Sequence, residues 1–250
     1  MTEPVLRLEG LRKSFGGLTV TDNVTLDVVA GELHAVIGPN GAGKTTLINQ
    51  VSGMLSSDGG RILFAGADVT RLPMHARAAL GIARSFQITS ILPGFSALEN
   101  VAIAVQARSG TSFRFFGRAA AEQALNAPAM EALAETGLAA RAHVLAAHLS
   151  HGERRALELA IALAMQPRLL LLDEPMAGTS HEETERLIVL LRRLKGRVPI
   201  MLVEHDMNAV FALADRISVL IYGRILASGP PDAVRADPQV VTAYLGEEME

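Results

Sequence analysis

The sequence contains no cysteine and no tryptophan, and aromatic residues make up only 4% of it. Without cysteine, disulfide bonds, thiolate zinc sites and cysteine nucleophiles are excluded, so any catalysis must use other side chains. The net charge of −3 leaves no basic surplus for binding a phosphate backbone, and few rings are available for base stacking. We therefore expect no nucleic-acid partner.

Long apolar runs are absent as well. The longest uncharged stretch covers residues 85–98 and is too short to cross a bilayer. Pro93 and Gly94 also interrupt it. The first residues lack a basic segment followed by an apolar one, and we expect no signal peptide. Mean hydropathy is nevertheless +0.28, with Ala, Leu and Val spread along the chain, which indicates buried helices and surfaces meant for partners.

One glycine-rich segment carries the strongest chemical signal. Residues 38–45, Gly-Pro-Asn-Gly-Ala-Gly-Lys-Thr, follow the apolar run 33–37 and precede a helical stretch at 46–52, in the order typical of a P-loop. Such a loop binds nucleotide phosphates through backbone N–H groups, the ammonium of Lys44 and the dipole of the following helix, while Thr45 offers its hydroxyl to Mg²⁺. A glycine-rich turn without a ligand is the weaker alternative.

The apolar pattern predicts an α/β core. Runs 33–37, 169–172 and 200–203 are continuously apolar, as in buried parallel strands, whereas 5–8 and 25–29 alternate, as in half-exposed antiparallel strands. Helices are predicted at 46–52, 152–165 and 181–194, a hairpin at 217–227, and two short helices around Ala233 and Val241.

The middle of the chain differs from the rest, because residues 87–149 are rich in Ala and show no recurrent strand pattern. We predict one domain over 1–250, in which 1–86 and 167–250 form the core and antiparallel β parts and about 87–166 form an inserted helical subdomain. Residues 113–118, Phe-Arg-Phe-Phe-Gly-Arg, are either a loop that packs its own rings or a patch that contacts a partner or the membrane surface.

Polar residues follow the buried strands of the core. Asp173 and Glu174 end the run 169–172, and His205 comes after the run 200–203. The carboxyl ends of parallel strands lie at one edge of a sheet, near the P-loop, where Asp173 is positioned to hold Mg²⁺ and Glu174 to orient and deprotonate an attacking water. His205 is positioned to donate a hydrogen bond to the γ-phosphate, and Gln87 to add an oxygen to the Mg²⁺ shell or the water.

Residues 149–153, Leu-Ser-His-Gly-Glu, open a helix. Ser150 and Glu153 have the spacing of a capping box, so a plain helix start is one interpretation. The other is that this helix N-terminus faces a phosphate bound to another molecule.

The order of these motifs resembles the nucleotide-binding subunits of ATP-binding-cassette (ABC) transporters across nearly the whole chain. The resemblance implies a P-loop ABC ATPase fold of class α/β, with a mixed sheet core, an N-terminal antiparallel β subdomain and an inserted helical subdomain. It further implies hydrolysis of ATP with Mg²⁺ by a head-to-tail pair of subunits, in which the signature helix of one subunit completes the ATP site of the other.

Carried over residue by residue, the resemblance implies the following roles. Phe15 stacks on adenine, and the Walker A loop consists of Gly38, Pro39, Asn40, Gly41, Ala42, Gly43, Lys44, Thr45 and Thr46. The signature, which acts in trans, consists of Ser150, His151, Gly152 and Glu153. Gln87 is the Q-loop residue, Asp173 the Walker B carboxylate, Glu174 the catalytic base, residues 177–180 the D-loop and His205 the switch histidine.

The chain departs from the common family pattern at a few positions. His151 and Glu153 replace a glycine and a glutamine of the signature, Ser180 replaces the D-loop aspartate, and Phe15 replaces a tyrosine. The Phe15 change retains a ring. The other three concern the site shared with the partner and raise the question of whether both sites of a dimer hydrolyse ATP equally.

Local sequence is similar to importers of branched-chain amino acids and amides, including urea carriers, at Phe-Gly-Gly-Leu (15–18), Arg-Ser-Phe-Gln (84–87), Val-Glu-His-Asp-Met (203–207) and Ala-Tyr-Leu-Gly-Glu (243–247). The resemblance implies a second, different ATPase chain, two membrane permease subunits, indirectly a periplasmic solute-binding protein, and a peripheral position on the cytoplasmic side of the inner membrane. Two alternatives stay open, an ABC ATPase of translation or DNA repair and a P-loop kinase or switch protein.

Overall fold

The computed structural model describes residues 3–85, 91–109 and 123–243. Its strands are β1 (Leu6–Phe15), β2 (Leu18–Val28), β3 (Leu33–Ile37), β4 (Gly59–Phe64), β5 (Ala67–Asp68), β6 (Ile82–Arg84), β7 (Leu169–Asp173), β8 (Ile200–Val203), β9 (Arg216–Ile221) and β10 (Arg224–Gly229). Its α-helices are α1 (Lys44–Ser52), α2 (Met74–Leu80), α3 (Ala97–Arg108), α4 (Gln123–Glu135), α5 (His151–Ala164), α6 (His181–Lys195), α7 (Met207–Leu213), α8 (Pro231–Ala236) and α9 (Pro238–Ala243).

The central sheet has the strand order β10-β9-β3-β8-β7-β6 within the described residues. All neighbours pair in parallel except β10, which forms the predicted antiparallel hairpin with β9. Every residue of β3, β7 and β8 is buried, because helices or the second sheet cover both faces, and this explains their uninterrupted apolar sequences. The predicted α/β class with a mixed sheet is confirmed.

A second, antiparallel sheet has the order β2-β1-β4-β5. Strands β1 and β2 are longer than the predicted 5–8 and 25–29. The pairing of β1 with β2 shifts register between Leu8 and Leu11, around Gly10 with φ of 59°, and such a bulge interrupts the two-residue alternation that sequence reading relies on. Strands β4 to β6 and helix α2 were not predicted, because they are short and carry no clear periodicity.

The central sheet lies between two layers. On one face, Val36 and Leu171 pack in a cluster with Leu47 of α1 and Leu8 of the antiparallel sheet. On the other face, the alternate strand residues pack against α5, α6 and α7. Because successive strand residues point to opposite faces, the same short strands fill both cores and hold their last residues at one edge.

Helices α3, α4 and α5 bury an apolar cluster of their own, made largely of Ala and Leu. Within residues 91–109 and 123–149, β-pairing is limited to one isolated bridge between Ser96 and Leu145. The segment 113–118 lies outside the described residues. None of the helices that the structure describes is both long enough and apolar enough to cross a membrane.

Candidate nucleotide site

The predicted phosphate loop leaves the buried strand β3 and enters α1, whose N-cap is Gly43. At Gly38, with φ of 153°, a Cβ would lie 2.0 Å from the carbonyl oxygen of Leu220; at Gly43, with φ of 105°, it would lie 2.4 Å from that of Val20. These two glycines are therefore required by the close approach of the protein's own backbone. Gly41, with φ of 79°, has open space in front of it, where a phosphate can approach.

Lys44 is buried at the first turn of α1. Its Nζ donates to the carbonyl oxygens of Gly38 at 2.6 Å and Pro39 at 3.1 Å, so the ammonium lies against the loop that it is predicted to serve. A glycine N-cap has no side chain to occupy the first N–H groups of the helix, and α1 has no acidic residue in its first turn. The loop and helix start together favour an anion.

The other loop residues divide by exposure. Ala42 is buried and is held by a bond from its N–H to the carbonyl of Pro39, whereas Asn40, Gly41 and Thr45 are exposed at the surface of the loop. Thr46 is half-buried. The exposed hydroxyl of Thr45 is thus available to a metal ion or phosphate bound at this surface.

The sheet brings the predicted carboxylates and histidine to the same edge as the loop. Strand β8 lies between β3 and β7, so the ends of these three strands, which lead into the loop, His205 and Asp173 with Glu174, are neighbours. This juxtaposition is what the parallel-strand argument predicted from sequence.

Asp173 is 1% exposed. Its Oδ2 accepts a hydrogen bond from Arg84 Nη2 at 2.8 Å, and among the described residues Oδ1 has no hydrogen-bond partner. Burial raises the pKa of the Asp173 carboxyl, and Arg84 partly offsets that effect. A buried carboxylate oxygen without a donor, near the Thr45 helix start, fits the oxygen donors that Mg²⁺ prefers.

Glu174 follows in a left-handed backbone conformation, with φ of 47°. Its N–H donates to the carbonyl of Val203 at 2.8 Å, which ties this turn to strand β8. Its Oε1 lies 3.9 Å from Nδ1 of His205, whose side chain is about half exposed. A non-glycine residue in this region of φ/ψ space costs free energy and persists only where the surroundings impose it. The two predicted catalytic groups therefore face a common space.

The signature segment forms the start of α5. Ser150 is the N-cap of a complete capping box: Glu153 N–H donates to Ser150 Oγ at 3.2 Å, and Ser150 N–H donates to Glu153 Oε2 at 2.8 Å. Among the described residues, the Ser150 hydroxyl proton has no acceptor. Ser96 caps α3 with the same box, but its hydroxyl donates to Glu99 at 2.8 Å. The capping-box interpretation is confirmed, and the box leaves one hydroxyl donor unused within the chain. That this helix start faces a phosphate of another molecule stays a prediction.

Two of the residues that depart from the family pattern, Glu153 of the signature and Ser180 of the D-loop, have partners inside the chain. Glu153 Oε1 lies 2.9 Å from Nε of Arg141, so an opposite charge balances this carboxylate. Ser180 is the N-cap of α6 in another capping box, with Glu183. A Cβ on Gly152 would lie 1.9 Å from Oε1 of Glu183, so a larger residue here would displace the side chain that caps α6.

Two further residues at this site, Arg84 and Glu204, were not predicted from the sequence to have a role. Arg84 and Asp173 are 89 positions apart, so their ion pair depends on the parallel pairing of β6 with β7. Glu204 is fully buried beside His205 and accepts backbone hydrogen bonds from the turns that follow two strands. In the sequence, the only signal for either was its place next to a motif. Gln87 lies outside the described residues.

Phe15 ends strand β1 and is 52% exposed. The Nζ of Lys13 lies 5.6 Å from its ring centroid. An exposed ring fits the predicted stacking on adenine, because about half of this residue's surface is accessible to a ligand.

A buried glutamate outside this site yields a pH-dependent prediction. Glu158 of α5 is 7% exposed and lines a cavity of about 430 Å³ between α5 and α6. Burial raises the pKa of Glu158 from 4.5 to about 7. Below pH 4.5 the carboxyl is protonated in both states, whereas between 4.5 and about 7 the unfolded chain loses a proton that the folded chain retains. The free energy of unfolding therefore falls as pH rises through this window.

We expect Glu158→Gln to remove this dependence. Relative to the unmodified chain, the variant should gain about 3 kcal/mol in free energy of unfolding between pH 4.5 and pH 8, since one pKa unit corresponds to about 1.4 kcal/mol. Urea titrations across this pH range measure the difference. Glu131→Gln, at an exposed position of α4, is the matched control and should show a change of only a few tenths of a kcal/mol. If the free energies of unfolding of Glu158→Gln and of the unmodified chain differed by the same amount at every pH, the prediction would be contradicted.

Comparison with known proteins gives concordant results. Residues 21–177 match the family described as ABC transporter, and residues 224–250 match the one described as branched-chain amino acid ATP-binding cassette transporter. The chain is 38% identical to the high-affinity branched-chain amino acid transport ATP-binding protein LivG of Escherichia coli K12 over 256 residues, which cover 99% of this chain and 100% of LivG. It is 37% identical to BraF of Pseudomonas aeruginosa, described in the same words, over 254 residues, with 99% and 100% coverage.

Solved structures agree with this result. The crystal structure of a nucleotide-free ATP-binding cassette from an ABC transporter matches with a TM-score of 0.85 and 28% identity, over 97% of this chain and 99% of that one. A cassette of an ABC transporter in its ADP conformation matches with a TM-score of 0.85 and 28% identity, over 98% and 100%. The chain therefore belongs to the ABC transporter family, as an ATP-binding and ATP-hydrolysing subunit.

Proposed function

We propose that this subunit drives an importer of branched-chain amino acids or related amides. The observation that carries the catalytic part is the shared sheet edge, where the P-loop, Asp173, Glu174 and His205 meet at the ends of three adjacent strands. The solute class rests on similarity to LivG and BraF, whose names state branched-chain amino acid transport, and on the match of residues 224–250.

The reaction is an in-line attack of water on the γ-phosphorus of ATP. Lys44 stabilises charge on the phosphoryl oxygens, and Glu174 orients the water and takes its proton. His205, 3.9 Å from Glu174, donates to the γ-phosphate. Phe15 stacks on the adenine. Thr45, Asp173 and Gln87 would hold Mg²⁺, which would neutralise charge on the phosphates.

The ATP site is completed by a second subunit. Ser150 is exposed at the N-terminus of α5, and its hydroxyl and this helix start supply donors to the γ-phosphate held by the partner. We infer a head-to-tail pair with a different ATPase chain. The pair docks on two membrane permease subunits at the cytoplasmic side of the inner membrane and works indirectly with a periplasmic binding protein. In this assembly, residues 1–86 and 167–250 form the ATP-binding part and about 87–166 the helical subdomain that carries the signature.

ATP turnover by the whole assembly tests the transport role. With the permease subunits, the second ATPase and the binding protein reconstituted together, we expect leucine, isoleucine, valine or a small amide to stimulate ATP hydrolysis and to accumulate inside vesicles. Solutes of other classes, such as sugars, are the control. Co-purification with ribosomes or DNA, together with a rate that no solute changes, would instead favour a role outside transport.

A further inference from the structure

Glu204, the residue after strand β8, is fully buried. Its carboxylate accepts three backbone hydrogen bonds: Oε1 accepts from Met176 N–H at 2.9 Å, and Oε2 accepts from His205 N–H at 2.8 Å and Asp206 N–H at 3.3 Å. A buried carboxylate is costly unless donors surround it, and here both oxygens have donors.

The three donors belong to two different turns. Met176 is two residues beyond Glu174, in the turn that leaves β7, whereas His205 and Asp206 start the turn that leaves β8. Oε2 of Glu204 also lies 3.4 Å from Nδ1 of His205, and that same nitrogen lies 3.9 Å from Glu174. One side chain therefore connects the backbone of both predicted catalytic turns.

An amide does not serve equally well in this position. A carboxylate only accepts hydrogen bonds, so both of its oxygens can face N–H groups. A glutamine would direct its own NH₂ at one of the turns and leave a buried backbone N–H unpaired. The lost hydrogen bond would disturb the relative placement of the two turns, whereas the phosphate loop would keep its own contacts.

We propose that Glu204 is a positioning residue for ATP hydrolysis, whose carboxylate holds the Glu174 turn and the His205 turn in one fixed arrangement. The proposal rests on the proposed roles of Glu174 and His205. It assigns Glu204 no contact with the nucleotide.

The test is Glu204→Gln in the assembled transporter. We expect kcat to fall at least tenfold, while the affinity for a slowly hydrolysed ATP analogue changes less than twofold. Glu32→Gln is the matched control, because Glu32 is also buried and accepts a backbone N–H, from Val29 at 2.8 Å, but at the opposite end of β3. It should keep kcat within twofold even where it lowers the melting temperature. A normal kcat in Glu204→Gln, or an equal loss in both variants, would overturn the proposal.

A double-mutant cycle separates positioning from general stability. If Glu204 acts through Glu174 and His205, adding Glu204→Gln to Glu174→Gln or to His205→Ala should lower the single-turnover rate by a smaller factor than it does in the unmodified chain; fully multiplicative losses in both backgrounds would overturn the proposal. Should Glu204→Gln not fold, hydrogen exchange in the unmodified subunit gives the answer. The amides of Met176 and His205 should then exchange together, and a difference above tenfold would overturn it. Normal turnover in both Glu174→Gln and His205→Ala would count against the proposed function itself.

Discussion

Glu174→Gln is expected to lower the rate of ATP hydrolysis by about 100- to 10 000-fold, because an amide cannot take the proton of the attacking water. ATP binding should persist, since the phosphate loop and Lys44 are unchanged. The variant should therefore accumulate as a closed, ATP-bound pair of subunits. Phosphate release measures the rate, equilibrium binding measures the affinity, and size-exclusion chromatography detects the closed pair.

Glutamine preserves the shape of the side chain and meets the same left-handed backbone, with φ of 47°, so the variant separates chemistry from folding. Glu185→Gln, at an exposed position of α6, is the matched control and should hydrolyse ATP normally. Normal turnover in Glu174→Gln would show that another group is the base.

Ser150→Ala should lower ATP turnover about 100-fold in the assembled pair, the size of effect seen when one donor to a developing negative charge is removed. The affinity of the chain's own site for ATP should not change, because Ser150 serves the site of the partner. Turnover per subunit should also rise with subunit concentration until pairing is complete. Steady-state assays over a concentration series measure both effects.

Ser96→Ala is the control that the structure offers for this variant. Both serines cap a helix with the same box, so each replacement should cost about 1 kcal/mol of stability. Of these two serines, the hydroxyl of Ser96 donates to Glu99, whereas that of Ser150 has no acceptor among the described residues. Turnover should therefore fall in Ser150→Ala alone. Full activity in Ser150→Ala, or an isolated monomer that splits ATP at the full rate, would contradict a site completed in trans.

Several features of the protein were predictable from local sequence. A P-loop is a short contiguous segment between one strand and one helix, and residues 38–45 carry it completely. Buried parallel strands such as β3 and β7 read as continuous apolar runs, and their carboxyl ends meet at one edge by topology, which placed Asp173 and His205 near the loop. The short strand β6 and helix α2 escaped prediction because so few residues set no period.

The sequence by itself thus determined the class of fold and the order of the chemical groups, since both follow from hydrophobic period and contiguous motifs. Only the tertiary structure decided what surrounds those groups. The pairing of Arg84 with Asp173 and the three backbone bonds to Glu204 join segments that are distant in sequence. The closeness of Leu220 to Gly38 has the same origin. Such contacts depend on which strands become neighbours, and no local pattern encodes that choice.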